Sequence, residues 1–98
     1  MNREQTLEEA LKIVTKDRQN AYGTPEDNFT CIASLWSTYL GNHISAKQVA
    51  VLMILLKIAR SKTSPDYSDN YVDIAGYAAC ANEIGGKKCL TDQSLQTT

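Results

Sequence analysis

The sequence predicts an all-α domain: a small up-and-down bundle of four helices, expected to self-associate. Three observations lead there. Apolar residues recur at the spacing of a helix face along most of the chain. Three of the four helical stretches open on a residue that caps helix amides, and glycines follow the ends of the second and fourth. At 98 residues the chain buries only a modest share of its unfolded surface, so association with further copies is an expected source of stability.

The first helix is expected to open with Thr6 as N-cap and Glu9 three residues later, the reciprocal spacing of a capping box. Leu7, Ala10, Leu11 and Val14 then form one apolar stripe, and the helix should run to about Lys16. The polar stretch 17–23 ends on Gly23 and reads as a helix end and turn. Thr24, Pro25, Glu26 and Asp27 supply an N-cap, a proline at the first helical position and two acids beside the positive end of the helix dipole, so a second helix starts here. Phe29, Ile32, Ala33, Trp36, Tyr39 and Leu40 mark its apolar face, with Trp36 and Tyr39 expected in the core or a subunit interface. Gly41 follows where a left-handed residue ends a helix.

Ser45 and Gln48 repeat the capping-box spacing ahead of residues 49–56, which are apolar on every side. The third helix is therefore expected to be the buried central one, packed on the second and fourth. Residues 61–68, with Pro65, make a polar connection to a fourth helix over 69–84. Its Ala75, Gly76, Ala78, Ala79 and Ala81 form a belt of small residues that admits a close neighbour. Gly85 and Gly86 end it, so the bundle domain is expected over 1–85 and a polar, flexible tail over 86–98.

Ten basic against 11 acidic residues give a net charge of −1, which supplies no overall attraction to long nucleic acid or to an anionic membrane. No apolar run is long enough to span a bilayer, and the charged N-terminus does not resemble a signal peptide. Cys31, Cys80 and Cys89 are odd in number and lack any CxxC or Cys/His pairing, which speaks against a disulfide scaffold or a zinc site and fits a reducing cytoplasm. His43 stands alone, and no phosphate-loop or GxSxG motif occurs.

The residues that could carry chemistry are charged pairs at helix ends. Lys57 and Arg60 share a face at the end of the third helix, and Asp69 and Asp73 share one at the start of the fourth. An antiparallel turn brings these pairs together, either as an ion-pair network or as cations holding a phosphate. Asp73 sits on a largely apolar face and needs a partner, expected to be Arg60 or Lys57. The turn holding Arg18, Tyr22, Gly23 and Thr24 joins a cation, a ring and a flexible glycine to the start of a helix, where exposed amides favour anions. It reads as an anion cradle or as an ordinary turn.

Two stretches, DRQNAYGTPEDNF at 17–29 and LKIAR at 56–60 followed by DNYVDIAGYA at 69–78, resemble a family of small uncharacterised bacteriophage and prophage proteins, over about residues 6–84. The order of Lys57, Arg60, Asp69, Asp73 and Tyr77, with Tyr22 and Gly23 before them, also resembles the phage nucleotide-modification-associated domain, and more distantly the MazG-type nucleotide pyrophosphohydrolases. The resemblance implies an all-helical phage protein that handles nucleotide-like ligands in the host cytoplasm. The MazG-type hydrolases carry an EExxE helix where this chain has Lys57 and Arg60, which puts a multi-carboxylate magnesium site in doubt.

The function expected from these readings is non-catalytic binding of a phosphate-bearing ligand, such as a cyclic nucleotide signal of host defence, by Arg18, Tyr22, Gly23, Thr24, Lys57, Arg60, Asp69, Asp73 and Tyr77, with no resident cofactor. The alternatives are a magnesium-dependent nucleotide pyrophosphohydrolase or modification accessory enzyme using Asp69 and Asp73, and a protein-binding inhibitor of a host factor.

Overall fold

A computed structural model describes residues 1–17 and 24–86. Four helices, and no strand among the described residues, make up the fold: α1 (Arg3–Lys12), α2 (Pro25–Leu40), α3 (Ala46–Thr63) and α4 (Ser68–Gly86). A π-helical turn, Ile13–Asp17, prolongs α1.

Caps set most of the boundaries. The hydroxyl of Thr24 accepts from the Asp27 amide at 3.1 Å and Pro25 takes the first helical position of α2. Gly41 closes α2 at φ 74°, a left-handed backbone that glycine adopts without a Cβ clash. Ser45 and Gln48 form the expected capping box on α3, their side chains bonded to each other's backbone at 3.1 and 2.9 Å. The start of α1 differs from expectation. Asn2 and Gln5 form the capping box at 2.8 and 2.9 Å, while the Thr6 hydroxyl donates back to the Asn2 carbonyl inside the helix. Two overlapping boxes compete here, and the earlier one wins because Arg3, Glu4 and Gln5 are all good helix formers that extend α1 by a turn.

The hub of the bundle is α4. It packs along α3 as a tight hairpin, receives α1 on another side and touches α2, while α2 leans mainly on α3. The core consists of Phe29 and Ala33 from α2, Val49 and Ala50 from α3, and Cys80, Ala81 and Ile84 from α4, ringed by Val14, Ile32, Trp36, Met53 and Tyr77. The small-residue belt is used in part. Gly76 is buried under α1, where a Cβ would stand 3.0 Å from a Val14 methyl, and Ala81 is buried, but Ala78 and Ala79 face outward.

The expectation that α3 is buried all round is therefore corrected. It buries Val49 and Ala50 but exposes Val51, Leu52, Leu55, Leu56 and Ile58. The four-helix chain has only enough neighbours to cover one side of it. The expected stripe of α1 is likewise split: Ala10 is buried and Val14 half-buried, whereas Leu7 is 63 % exposed and Leu11 lies beside it in the open. Trp36 packs at the core margin, but Tyr39 is 89 % exposed and contributes nothing to the core. Helix α4 runs to Gly86, and residues 87–98, the expected tail, lie outside the described residues.

Candidate functional site

The last turns of α3 and the first turns of α4 are held together by the short connection between them. Ser64 N–H donates to the Arg60 carbonyl at 3.0 Å, Tyr67 N–H to Ser64 at 3.2 Å, and Asn70 N–H to Tyr67 at 3.1 Å. The side chain of Asn70, only 2 % exposed, donates to the Ser64 carbonyl at 3.3 Å. The Tyr71 hydroxyl reaches the Pro65 carbonyl at 2.6 Å. These bonds give the hairpin end a fixed shape.

Across the hairpin the Lys57 ammonium lies 2.8 Å from an Asp73 carboxylate oxygen, with 14 % and 20 % of the two side chains exposed. Of the two partners expected for Asp73, Arg60 and Lys57, it is Lys57 that pairs with it. Arg60, one turn further, is exposed and forms no ion pair among the described residues. Asp69 instead accepts a hydrogen bond from the Tyr67 hydroxyl at 2.9 Å. That bond, then the charge of Asp69, slight burial and the charge of Asp73, push the Tyr67 phenol above its ordinary value of 10.0.

Two concavities meet at the ion pair. On the inner side lies an apolar crevice of about 10 Å³, lined by Asp73, Tyr77, Gly76, Phe29 and Val14 among others, which is at the lower limit for one water molecule. The Tyr77 ring stacks at an angle on Phe29, centroids 5.9 Å apart. On the outer side an open hollow of about 470 Å³ is lined by Leu56, Lys57, Ala59, Arg60, Thr63, Ser64, Tyr67 and Asn70. Its volume falls within the range of about 300–1,000 Å³ usual for small-molecule sites. Another hollow of about 530 Å³ lies along α1, lined by Met1, Gln5, Glu8, Glu9 and Lys12, where the two acids offset the cations.

The expected site residues therefore divide. Lys57 and Arg60 line the outer hollow, Asp73 and Tyr77 the inner crevice, and Asp69 stands at the rim through Tyr67. Thr24 is spent on capping α2 and lines neither concavity. Arg18, Tyr22 and Gly23 lie outside the described residues. Tyr67 and Asn70 were not expected as site residues. The signal for Asn70 was present, since Asn70, Asp73, Tyr77, Cys80 and Ile84 follow one helical face of α4. Nothing in the local pattern marks Tyr67. Among the described residues no three acids, histidines or cysteines gather as a metal-ligand set.

Fold and site together define a small helical hairpin bundle with a cation-bearing hollow at the end of one hairpin. The chain belongs to the family described as a domain of unknown function, DUF6378, whose model matches residues 5–85. It is similar to the Gene 55 protein of Mycobacterium phage D29, 47 % identical over 81 residues, or 83 % of this chain and 54 % of that protein. The Gene 55 protein of Mycobacterium phage L5 is 44 % identical over 79 residues, covering 80 % of this chain and 51 % of that protein. The chain thus spans about half the length of the curated relatives it matches, and these are phage proteins. No solved structure matches it significantly. Among the described residues no helix is long and apolar enough to cross a membrane.

Proposed function

We propose that the protein binds a small phosphate-bearing, nucleotide-like ligand in the outer hollow and holds it without transforming it. The observation that carries this reading is Arg60, a guanidinium with no ion-pair partner among the described residues, on the wall of an open hollow that Tyr67 and Lys57 also line. A guanidinium offers its paired N–H donors to phosphate oxygens, and a tyrosine ring beside it offers a face to a base. Lys57, anchored by Asp73, lends part of its charge and a fixed position.

In the infected cell such a protein acts by sequestration, and a cyclic nucleotide signal of host defence is the ligand we favour. The phage relatives support that choice of setting. The reading as a magnesium-dependent hydrolase draws less support, because Asp73 is bound to Lys57 and Asp69 to Tyr67. Among the described residues no third acid, histidine or cysteine joins them as a ligand set.

The test is a thermal-shift screen against nucleoside triphosphates and cyclic di- and trinucleotides, with and without magnesium, followed by chromatography of the recovered compound. Stabilisation with intact recovery is expected. Release of pyrophosphate would replace sequestration by hydrolysis, and the absence of any shift across the panel would remove the ligand reading.

A further inference from the structure

The structure leaves one large apolar surface without a covering element. Val51, Leu52, Leu55, Leu56 and Ile58 keep between 39 % and 55 % of their surface exposed. Val51, Leu52, Leu55 and Ile58 lie on the side of α3 opposite its buried Val49 and Ala50, with Leu56 at the edge toward the outer hollow. At 3.6 residues per turn Leu55, the most exposed, marks the middle of this face. Val51 and Leu52 stand one turn before it, Ile58 and Ala59 one turn after.

We propose that this face seats a second copy of the chain, the two α3 helices packing antiparallel about a two-fold axis at Leu55. The area fits. Val51, Leu52, Leu55 and Ile58 offer roughly 330 Å² of apolar surface, at the scale where patches on lone domains become functional. A standard interface takes about 800 Å² from each partner, of which roughly 60 % is apolar, so this face supplies most of the required apolar share.

The register fits as well. In an antiparallel pair centred on Leu55, Leu55 meets its own copy, Val51 lies beside Ile58 and Leu52 beside Ala59, so apolar residues face apolar ones along the seam. Leu56 and Ala59 also line the outer hollow, so a second copy stands at its rim. This last link rests on the ligand reading, whereas the association itself does not, and the two are measured separately.

The experiment is the solution mass of the 98-residue chain by light scattering up to roughly 100 µM, since dimers follow mass action. The wild type is expected at twice 10.8 kDa, and Leu55→Glu at 10.8 kDa with its helical circular dichroism retained. Leu7→Glu, on the far side of α4, should remain a dimer. If Leu55→Glu also lowers helicity, Leu55→Cys in a chain with Cys31 and Cys89 changed to Ser decides instead: a disulfide between copies should form under mild oxidation. A monomeric wild type, a dimer untouched by Leu55→Glu, a dimer equally lost in Leu7→Glu, or a Leu55→Cys chain that fails to cross-link overturns the proposal.

Discussion

Lys57 and Asp73 stand where a carboxylate on an apolar helix face meets a cation from the neighbouring helix; spacing narrowed the partner to Arg60 or Lys57, and the fold selects Lys57. Two helices joined by a short polar connection must bring the end of one against the start of the next. Being mostly shielded from water, the pair is more than a surface ornament, yet it is not deep enough to carry the full cost of a buried charge. Asp73→Asn should therefore destabilise the fold by about 1–3 kcal/mol in urea unfolding. The double variant Lys57→Met with Asp73→Leu should recover most of that loss, because it removes both charges together.

Tyr67 was not legible, since its site role depends on the turn that aims the phenol at Asp69. A phenol that donates to a carboxylate favours its neutral form, and this raises its folded value above the unfolded one. The stabilisation is complete below about pH 10 and is lost as the pH rises through the raised folded value. In alkaline titration, the tyrosinate absorbance assigned to Tyr67 by difference from Tyr67→Phe should have its midpoint above 10.0, and Asp69→Asn should move it back toward that value.

Among the elements, α2 and the start of α3 follow directly from local chemistry. Thr24, Pro25, Gly41, Ser45 and Gln48 satisfy backbone groups within a few residues of themselves, so no tertiary information is needed to place them. The environment of α3 was not readable in the same way. A helix apolar on every side must be covered all round, but its sequence does not say whether the cover comes from its own chain or from another. The burial of Gly76 under α1 gives the element scale its own test. A side chain added there meets the Val14 methyl, and Val14 is stiff because it branches at Cβ. Gly76→Leu should cost about 2 kcal/mol through overpacking and lift α1 from α4, seen as faster amide exchange along Arg3–Lys12.

At the scale of the whole molecule, four helices around a narrow core of Phe29, Ala33, Val49, Ala50, Cys80, Ala81 and Ile84 leave the apolar side of α3 and the hollow at its end open to the outside. The all-α class and the hairpin of the last two helices were legible from periodicity. The choice of α4 as hub was not, because it depends on where α1 docks, and α1 docks through Gly76 rather than through a long apolar stripe. For the same reason the two concavities on either side of Lys57 and Asp73 appear only once the chain is folded. Arg60 lies on the wall of the outer one, so Arg60→Ala should weaken nucleotide binding more than Lys47→Ala, with thermal unfolding checked for both.

The most direct measurement is a backbone and arginine side-chain NMR titration of the wild-type chain with ATP and with a cyclic dinucleotide. Shifts should concentrate at residues 56–64 and 67–70, including the Arg60 guanidinium, for at least one of the two compounds. Shifts confined to α1 or α2, or none at all with either compound, would contradict a phosphate-binding hollow between α3 and α4.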